Sequence, residues 1–291
     1  MQIGVTLPQT RFDGDPVAVR DFAQAAEELG FSHVLVYDHV LGAEHAGRDP
    51  ELWGPYTEHD PFHEPFVVLA YIAAITTRLG LGTGVLILPQ RQTALVAKQA
   101  AELDLLSGGR LRLGVGLGWN YVEYESLNED FSNKGKRCEE QVDLLRRLWA
   151  EPLLDYTGEW HRIDRASILP RPGRQIPIWF GGFKEPALRR AARLGDGFIF
   201  SGRPERLIDA AERLRGHLAD AGRASEPFGY EAFVEYERGP ERWRADVDMY
   251  EAAGFTHVAM RSINAGLPGP QAHIDLLAEY AAAVGLRSGE R

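Results

Sequence analysis

Cysteine is almost missing from this 291-residue chain. Cys138 stands alone, so no internal disulfide can staple the fold, and a reducing cytoplasm is the expected setting. Cys138 lies in a charged stretch, Lys134 to Glu140, with no obvious partner, and offers little as a nucleophile. Cationic charge is in deficit. Thirty-two Lys and Arg face 42 Asp and Glu, for a formal net charge of −10. A nucleic-acid binder or a binder of anionic membranes needs a basic face, so neither is expected, although a local phosphate pocket stays compatible. Lysine occurs only at Lys98, Lys134, Lys136 and Lys184. No apolar run approaches the roughly 18 residues of a membrane span. The opening MQIGVTLP has no basic segment or long apolar stretch of a secretory leader. Several catalytic signatures are missing too. There is no G-x-S-x-G elbow and no phosphate-binding loop of the Walker type. His63-Glu64-Pro65 lacks the second histidine of H-E-x-x-H. His59 and His63 are separated by Pro61, which opposes a shared helix face, so no metal site is expected.

What is present is a regular alternation of short apolar runs and amphipathic segments. Strands are predicted at Ile3–Leu7, His33–Tyr37, Leu79–Leu88, Leu111–Leu117, Ile176–Phe180, Gly197–Phe200, Tyr230–Tyr236 and His257–Met260. Helices are predicted at Pro16–Leu29, Pro65–Thr77, Thr93–Leu106 with Thr93 as N-cap, Gly135–Trp149, Glu185–Leu194, Arg206–Ala221, Glu241–Ala253 and Ala272–Val284. Eight strand–helix units imply a parallel sheet, which closes most naturally into a (β/α)8 barrel. An open doubly wound sheet is the rival. With no composition shift along the chain, a single α/β domain over 1–291 is expected. Two stretches interrupt the rhythm. One, Val40 to His63, follows the second strand, lies on the catalytic face of a barrel, and is a candidate substrate lid. The other, Pro152 to Pro172, follows the fourth helix and contains a hairpin around Tyr156-Thr157-Gly158-Glu159-Trp160; it starts at the opposite face unless it crosses over.

Barrel chemistry belongs at the C-terminal ends of strands. The second strand ends Tyr37-Asp38-His39, an imidazole and a carboxylate suited to proton transfer, or else a loop cap with its hydrogen-bonded neighbour. Three glycines punctuate Gly80-Leu-Gly-Thr-Gly84, which predicts a bulge or close approach of a ligand. Gly114-Val-Gly116-Leu-Gly118-Trp-Asn120 brings its third glycine one residue too early for the dinucleotide fingerprint, and close backbone approach to a flat ring is the functional reading. Gly181-Gly182-Phe183-Lys184 precedes Pro186 near the start of a helix. Free amides there, with Lys184, suit a phosphate, and Arg203 at the next strand end, Ser201-Gly202-Arg203, offers a second anion contact; a plain turn and a solvated Arg203 are the alternatives. Trp53, Tyr56, Phe62 and Phe66 either line a substrate pocket or pack the lid.

Taken together, Tyr37-Asp38-His39, Leu81-Gly-Thr-Gly-Val-Leu86, the run Ser107 to Asn120 and Pro177-Ile-Trp-Phe-Gly-Gly182 resemble the bacterial luciferase-like family. Gly116-Leu-Gly-Trp-Asn120 and the run Ala187 to Gly197 are similar to its F420-dependent branch. The resemblance implies a (β/α)8 barrel holding coenzyme F420, or alternatively FMN, at the strand ends. It implies a non-proline cis peptide at Gly84-Val85 behind the ring. Gly84, Val85, Gly116, Gly118, Asn120, Gly181, Gly182, Phe183 and Arg203 are the implied cofactor contacts. His39 would transfer a proton or stabilise developing charge, and Asp38 would touch the ring or orient His39. Leu117 stands where the luciferase branch often has a basic residue, which favours F420 hydride transfer to or from a small organic substrate over an FMN monooxygenase fed by a separate reductase. A homodimer is implied by the resemblance alone.

Overall fold

Side-chain alternation along the strands builds a closed barrel. In the computed structural model, which describes residues 1–286, the predicted units appear in order: β1 (Gln2–Thr6), α1 (Pro16–Glu28), β2 (His33–Val36), α2 (Pro65–Ile75), β3 (Gly80–Thr83), β4 (Leu86–Ile87), α3 (Thr93–Leu106), β5 (Leu111–Gly116), α4 (Tyr121–Ser126), α5 (Lys134–Ala150), β6 (Leu154–Thr157), β7 (Arg162–Ala166), β8 (Ile178–Gly181), α6 (Glu185–Leu194), β9 (Gly197–Phe200), α7 (Pro204–Asp220), β10 (Gly229–Glu235), α8 (Pro240–Ala252), β11 (His257–Arg261) and α9 (Pro270–Val284). The last five residues of the expected 1–291 domain lie outside the described residues. The parallel strands run β3-β2-β1-β11-β10-β9-β8-β5, and β3 pairs with β5 to close the ring. β3 and β4 together occupy one position, so eight strand positions circle the core, as the alternation predicts.

Outward residues such as Val34, Val36, Ile178, Phe180, Phe198 and Phe200 pack under the helices, while Leu35, Tyr37, Trp179, Ile199, Phe233 and Ala259 fill the lumen. This two-sided burial explains why the strands read as nearly continuous apolar runs. The lumen has a charged floor near the strand starts. Glu231, fully buried, accepts from Arg112 Nη2 (2.7 Å) and contacts His33 Nε2 (2.6 Å). The Arg112 guanidinium lies 4.0 Å from the Trp179 ring centre, and the Trp179 and His257 rings are 4.9 Å apart.

Three details depart from the sequence expectations. The predicted third strand is cut into β3 and β4 at the cis peptide Gly84-Val85, where the backbone leaves the ladder. Thr93 is the first residue of α3 rather than its cap; Gln92 occupies the cap position, and the Thr93 hydroxyl is held by Gln141 Nε2 (2.9 Å) and His161 Nε2 (2.7 Å). α4 was not predicted, although Asn120 followed by Glu123 has the spacing of a capping box; Asn120 caps it by accepting from the Val122 amide. The expected hairpin forms as the antiparallel pair β6 and β7. It does cross over: the Glu140 carboxylate on α5 accepts the amides of Glu159, Trp160 and His161, bringing the hairpin tip to the start of α3 on the catalytic side.

Candidate active site

At the C-terminal rim, the inward positions divide the mouth into two unlike halves. On one side stand Gly84, Gly116 and Gly181, whose missing side chains leave backbone exposed to the lumen. Val85 fills the space between two of them: a Cβ on Gly116 would lie 2.4 Å from Val85 Cγ2, and one on Gly181 would lie 2.8 Å from Val85 Cγ1. Glycine is therefore required on both strands for Val85 to stand where it does. On the other side stand Tyr37 just after β2, Ser201 just after β9, Glu235 at the end of β10 and Arg261 at the end of β11. The first half is a surface of backbone and one valine, with no long side chain standing on it that would hold off a flat ring.

His39 sits just beyond β2 at the edge between the halves. Its ring is boxed by Phe62 (4.8 Å between centres), Tyr56 (5.3 Å) and Trp119 (5.5 Å). Its Nδ1 lies 3.2 Å from Oε1 of Glu123, a buried carboxylate that also accepts the amides of Val40 (2.8 Å) and Leu41 (3.1 Å). An ionised carboxylate can only accept, so Nδ1 is the donor of this contact and Nε2 is the ring nitrogen left free by Glu123. Nε2 makes no hydrogen bond among the described residues.

Asp38 does not orient His39. Its buried carboxylate accepts from Arg91 Nη2 (2.7 Å) and Nε (3.3 Å) and from the Ile87 amide (2.8 Å). This pairing fixes the chain immediately after the cis peptide, and a carboxylate committed in this way has little left for a ring. The orienting role belongs to Glu123, which the sequence reading missed. The signal was available: Glu123 is the acidic third residue after the cap Asn120, but its reach back to His39 is a tertiary fact.

The other expected contacts divide. Gly118, with φ of +62°, turns the chain out of β5, and its carbonyl accepts from Lys134 Nζ at 3.4 Å. Asn120 caps α4 through Oδ1 and donates from Nδ2 to the Leu41 carbonyl (3.3 Å), which ties the connection after β2 to the rim. Gly181 and Gly182 precede α6, whose cap residue Lys184 makes no capping hydrogen bond. Burial, reinforced by neighbouring Lys184, pulls the Lys134 ammonium down to about 8. Lys134 Nζ lies over the Phe131 ring (3.1 Å from its centre) and is close enough to Lys184, at the start of α6, for the two cations to repel, a pair the sequence reading did not assemble. Phe183 is 84% exposed and covers nothing in this structure. Arg203 is exposed at the start of α7 without a side-chain cap bond, away from the glycine half. Among the aromatic residues of the lid, Tyr56 and Phe62 line the mouth, Phe66 belongs to the core, and Trp53 is exposed. Among the described residues no three His, Cys, Asp or Glu side chains gather as a metal site, and no helix is long and apolar enough to cross a membrane.

This architecture has relatives. An F420-dependent glucose-6-phosphate dehydrogenase of Nakamurella multipartita is 33% identical over 251 residues, covering 81% of this chain and 69% of that protein. An uncharacterised protein of Mycobacterium bovis is 37% identical over 214 residues, covering 71% and 73%. Among solved structures, an F420-dependent secondary alcohol dehydrogenase with an F420-acetone adduct superposes with a TM-score of 0.77 at 18% identity, covering 97% of this chain and 98% of the other. A monooxygenase from Streptomyces bottropensis gives 0.76 at 22% identity, covering 98% and 97%. At those identities the two structures speak for the fold alone. The family model described as luciferase-like monooxygenase matches residues 1–283, and the chain belongs to that family of oxidoreductases.

Proposed function

We propose that this protein moves a hydride between coenzyme F420 and a small organic substrate. The coarser reading, an oxidoreductase using F420 or a flavin, rests on the family and on the F420-dependent relatives. The observation that carries the finer one is the split mouth: a side-chain-free half shaped for a flat ring, with a histidine at its edge whose Nε2 is free. Gly84, Val85, Gly116 and Gly181 would lie behind the ring, and Gly181, Gly182, Lys184 and Lys134 would hold an anionic tail. The bound deazaflavin supplies a two-electron hydride acceptor or donor; the protein supplies position and proton management. His39 takes or returns the proton of the substrate oxygen at Nε2, and Glu123 stabilises the imidazolium. Tyr56, Phe62 and Trp119 keep water from the histidine.

Titration of the purified protein with F420 and with FMN, followed by cofactor fluorescence, tests this reading. F420 is expected to bind at least tenfold more tightly than FMN. Gly116→Ala is expected to weaken F420 by about tenfold or more, because its methyl displaces Val85 into the ring's place. The pH dependence has a definite sign. In the free protein Lys134 is charged below about 8, so affinity should fall as pH rises from 7 to 9, and Lys134→Met should flatten that fall. Equal or tighter binding of FMN would instead return the protein to oxygen chemistry with a separate reductase.

The homodimer implied by the resemblance is also part of this proposal. α2 carries no charged residue, and Val67 and Tyr71 are exposed on it. An apolar helix face of this kind asks to be covered. Light scattering is expected to give twice the 32.4 kDa chain mass, and Val67→Glu should shift the protein toward monomer. A monomeric wild type would remove the dimer.

A further inference from the structure

The second half of the mouth carries its own information. Glu235 and Arg261 are register partners at the ends of β10 and β11, and both point inward. The guanidinium of Arg261 donates to Glu235 through Nε (2.9 Å) and Nη2, and to Ser201 Oγ through Nη1 (3.3 Å). Its flat face lies 4.6 Å from the centre of the Phe233 ring. Arg261 is thus held on two edges and one face. The same pattern recurs just outside, where Arg238 forks onto the buried Asp246. The cavity here measures about 420 Å³; two of its three arginines, Arg261 and Arg238, are paired with Glu235 and Asp246, and the third, Arg203, is exposed at its outer rim beside the exposed Glu237. Toward the lumen the wall turns apolar: Phe233, Ile199 and Ile263, with Tyr56 and Phe62 from the lid. One polar atom in that wall is unsatisfied. The Tyr37 hydroxyl is buried beside Arg261 and Thr6 without an oriented hydrogen bond to either.

We propose that the substrate half of this site is built for an uncharged alcohol or carbonyl compound with an apolar body, that Tyr37 donates to its oxygen, and that Glu235 excludes anions. This rests on the hydride-transfer reading of the same site and names its substrate class. Three physical points support it. Arg261 has its Nε–Nη2 fork closed by the Glu235 carboxylate and its Nη1 turned to Ser201, so that fork is not free for a phosphate or carboxylate. An incoming anion would also meet the Glu235 carboxylate in a partly buried setting, where like charges repel strongly. Finally, a buried donor left unpaired costs about 1–3 kcal/mol until something pairs with it, and a neutral oxygen does so without bringing charge into an apolar wall.

Equilibrium binding tests the proposal without turnover. The probes are cyclohexanol and glucose 6-phosphate, added to wild type and variants in the presence and absence of F420 and followed by tryptophan fluorescence. Wild type is expected to bind cyclohexanol at least tenfold more tightly than glucose 6-phosphate. Tyr37→Phe should weaken cyclohexanol about tenfold and leave F420 affinity unchanged. Glu235→Gln should gain about tenfold or more for glucose 6-phosphate, by freeing Arg261. Circular dichroism confirms that each variant is folded, and should Glu235→Gln unfold, Glu235→Ser is measured in its place. Tighter wild-type binding of glucose 6-phosphate, or no gain for the anion in either folded Glu235 variant, overturns the proposal. Failure of F420 itself to bind is seen separately, in the cofactor titration, and would sink the hydride-transfer reading instead.

Discussion

Replacing His39 by alanine is expected to cut turnover by about 10²–10⁴-fold, the usual worth of a placed acid–base group, while F420 affinity changes less than threefold. The asymmetry follows from geometry. His39 stands at the edge of the glycine half with one ring nitrogen, Nε2, free of hydrogen bonds; the surface proposed to hold the ring is made of backbone and Val85. Removing the imidazole therefore removes a proton carrier and little cofactor contact. Glu123→Gln separates orientation from charge. The amide oxygen can still accept from Nδ1, so the ring keeps its direction, but the imidazolium loses its counter-charge. Turnover should fall about tenfold, with a changed pH profile and unchanged F420 affinity. Pre-steady-state absorbance of F420 with each variant reads both effects. If His39→Ala weakened F420 as much as it slowed turnover, His39 would be a binding residue only.

The second large effect concerns the barrel floor. Arg112→Ala leaves the fully buried Glu231 without its strongest counter-ion, and breaking a buried pair on one side costs about 3–5 kcal/mol. For a chain of this size that lowers the melting temperature by on the order of 10 °C. Replacing both partners, as in Arg112→Met with Glu231→Gln, should recover much of the loss. The same floor predicts acid lability. Burial drives His257 down to about 3, and it also drives His33 down. As pH drops below the unfolded histidine value near 6.5 the unfolded chain binds more protons than the folded one, so stability falls from there toward the folded His257 value near 3. Glu231 is held near 2 by Arg112 and His33 despite its burial. Its contribution is present above the unfolded value near 4.5 and is lost as pH falls toward 2. All three groups act in one direction. Thermal melts from pH 7 to 4 should show a steady decline in wild type, and His257→Asn, which removes one of the titrating groups, should decline less steeply. A flat profile would show that the floor is open to water and protons.

These effects trace back unevenly to the sequence. The alternation of apolar runs with helical segments, punctuated by turn residues such as Gly30 and Gly108-Gly109, was sufficient for eight units and for closure, because parallel strands buried on both faces leave an unmistakable local pattern. The glycine spacing after β3, β5 and β8 was equally legible, since a missing side chain is a property of the residue and not of its surroundings. His39 was legible as a candidate, since it lies just beyond the end of β2. Partnership was not legible. Asp38 is adjacent to His39 in sequence yet faces Arg91, because consecutive residues leaving a strand point in opposite directions. The residue that does meet His39 is 84 positions away, on a helix too short to announce itself. Lys134 and Lys184 are likewise distant in sequence and neighbours in space. Glu235 and Arg261 looked like two strand-end charges, and only the parallel register of β10 and β11 makes them one neutral pair. Sequence thus determined which backbone forms and where it is bare; tertiary structure decided which charges are spent on each other and which remain for a ligand, because pairing depends on register and closure, which no local pattern records.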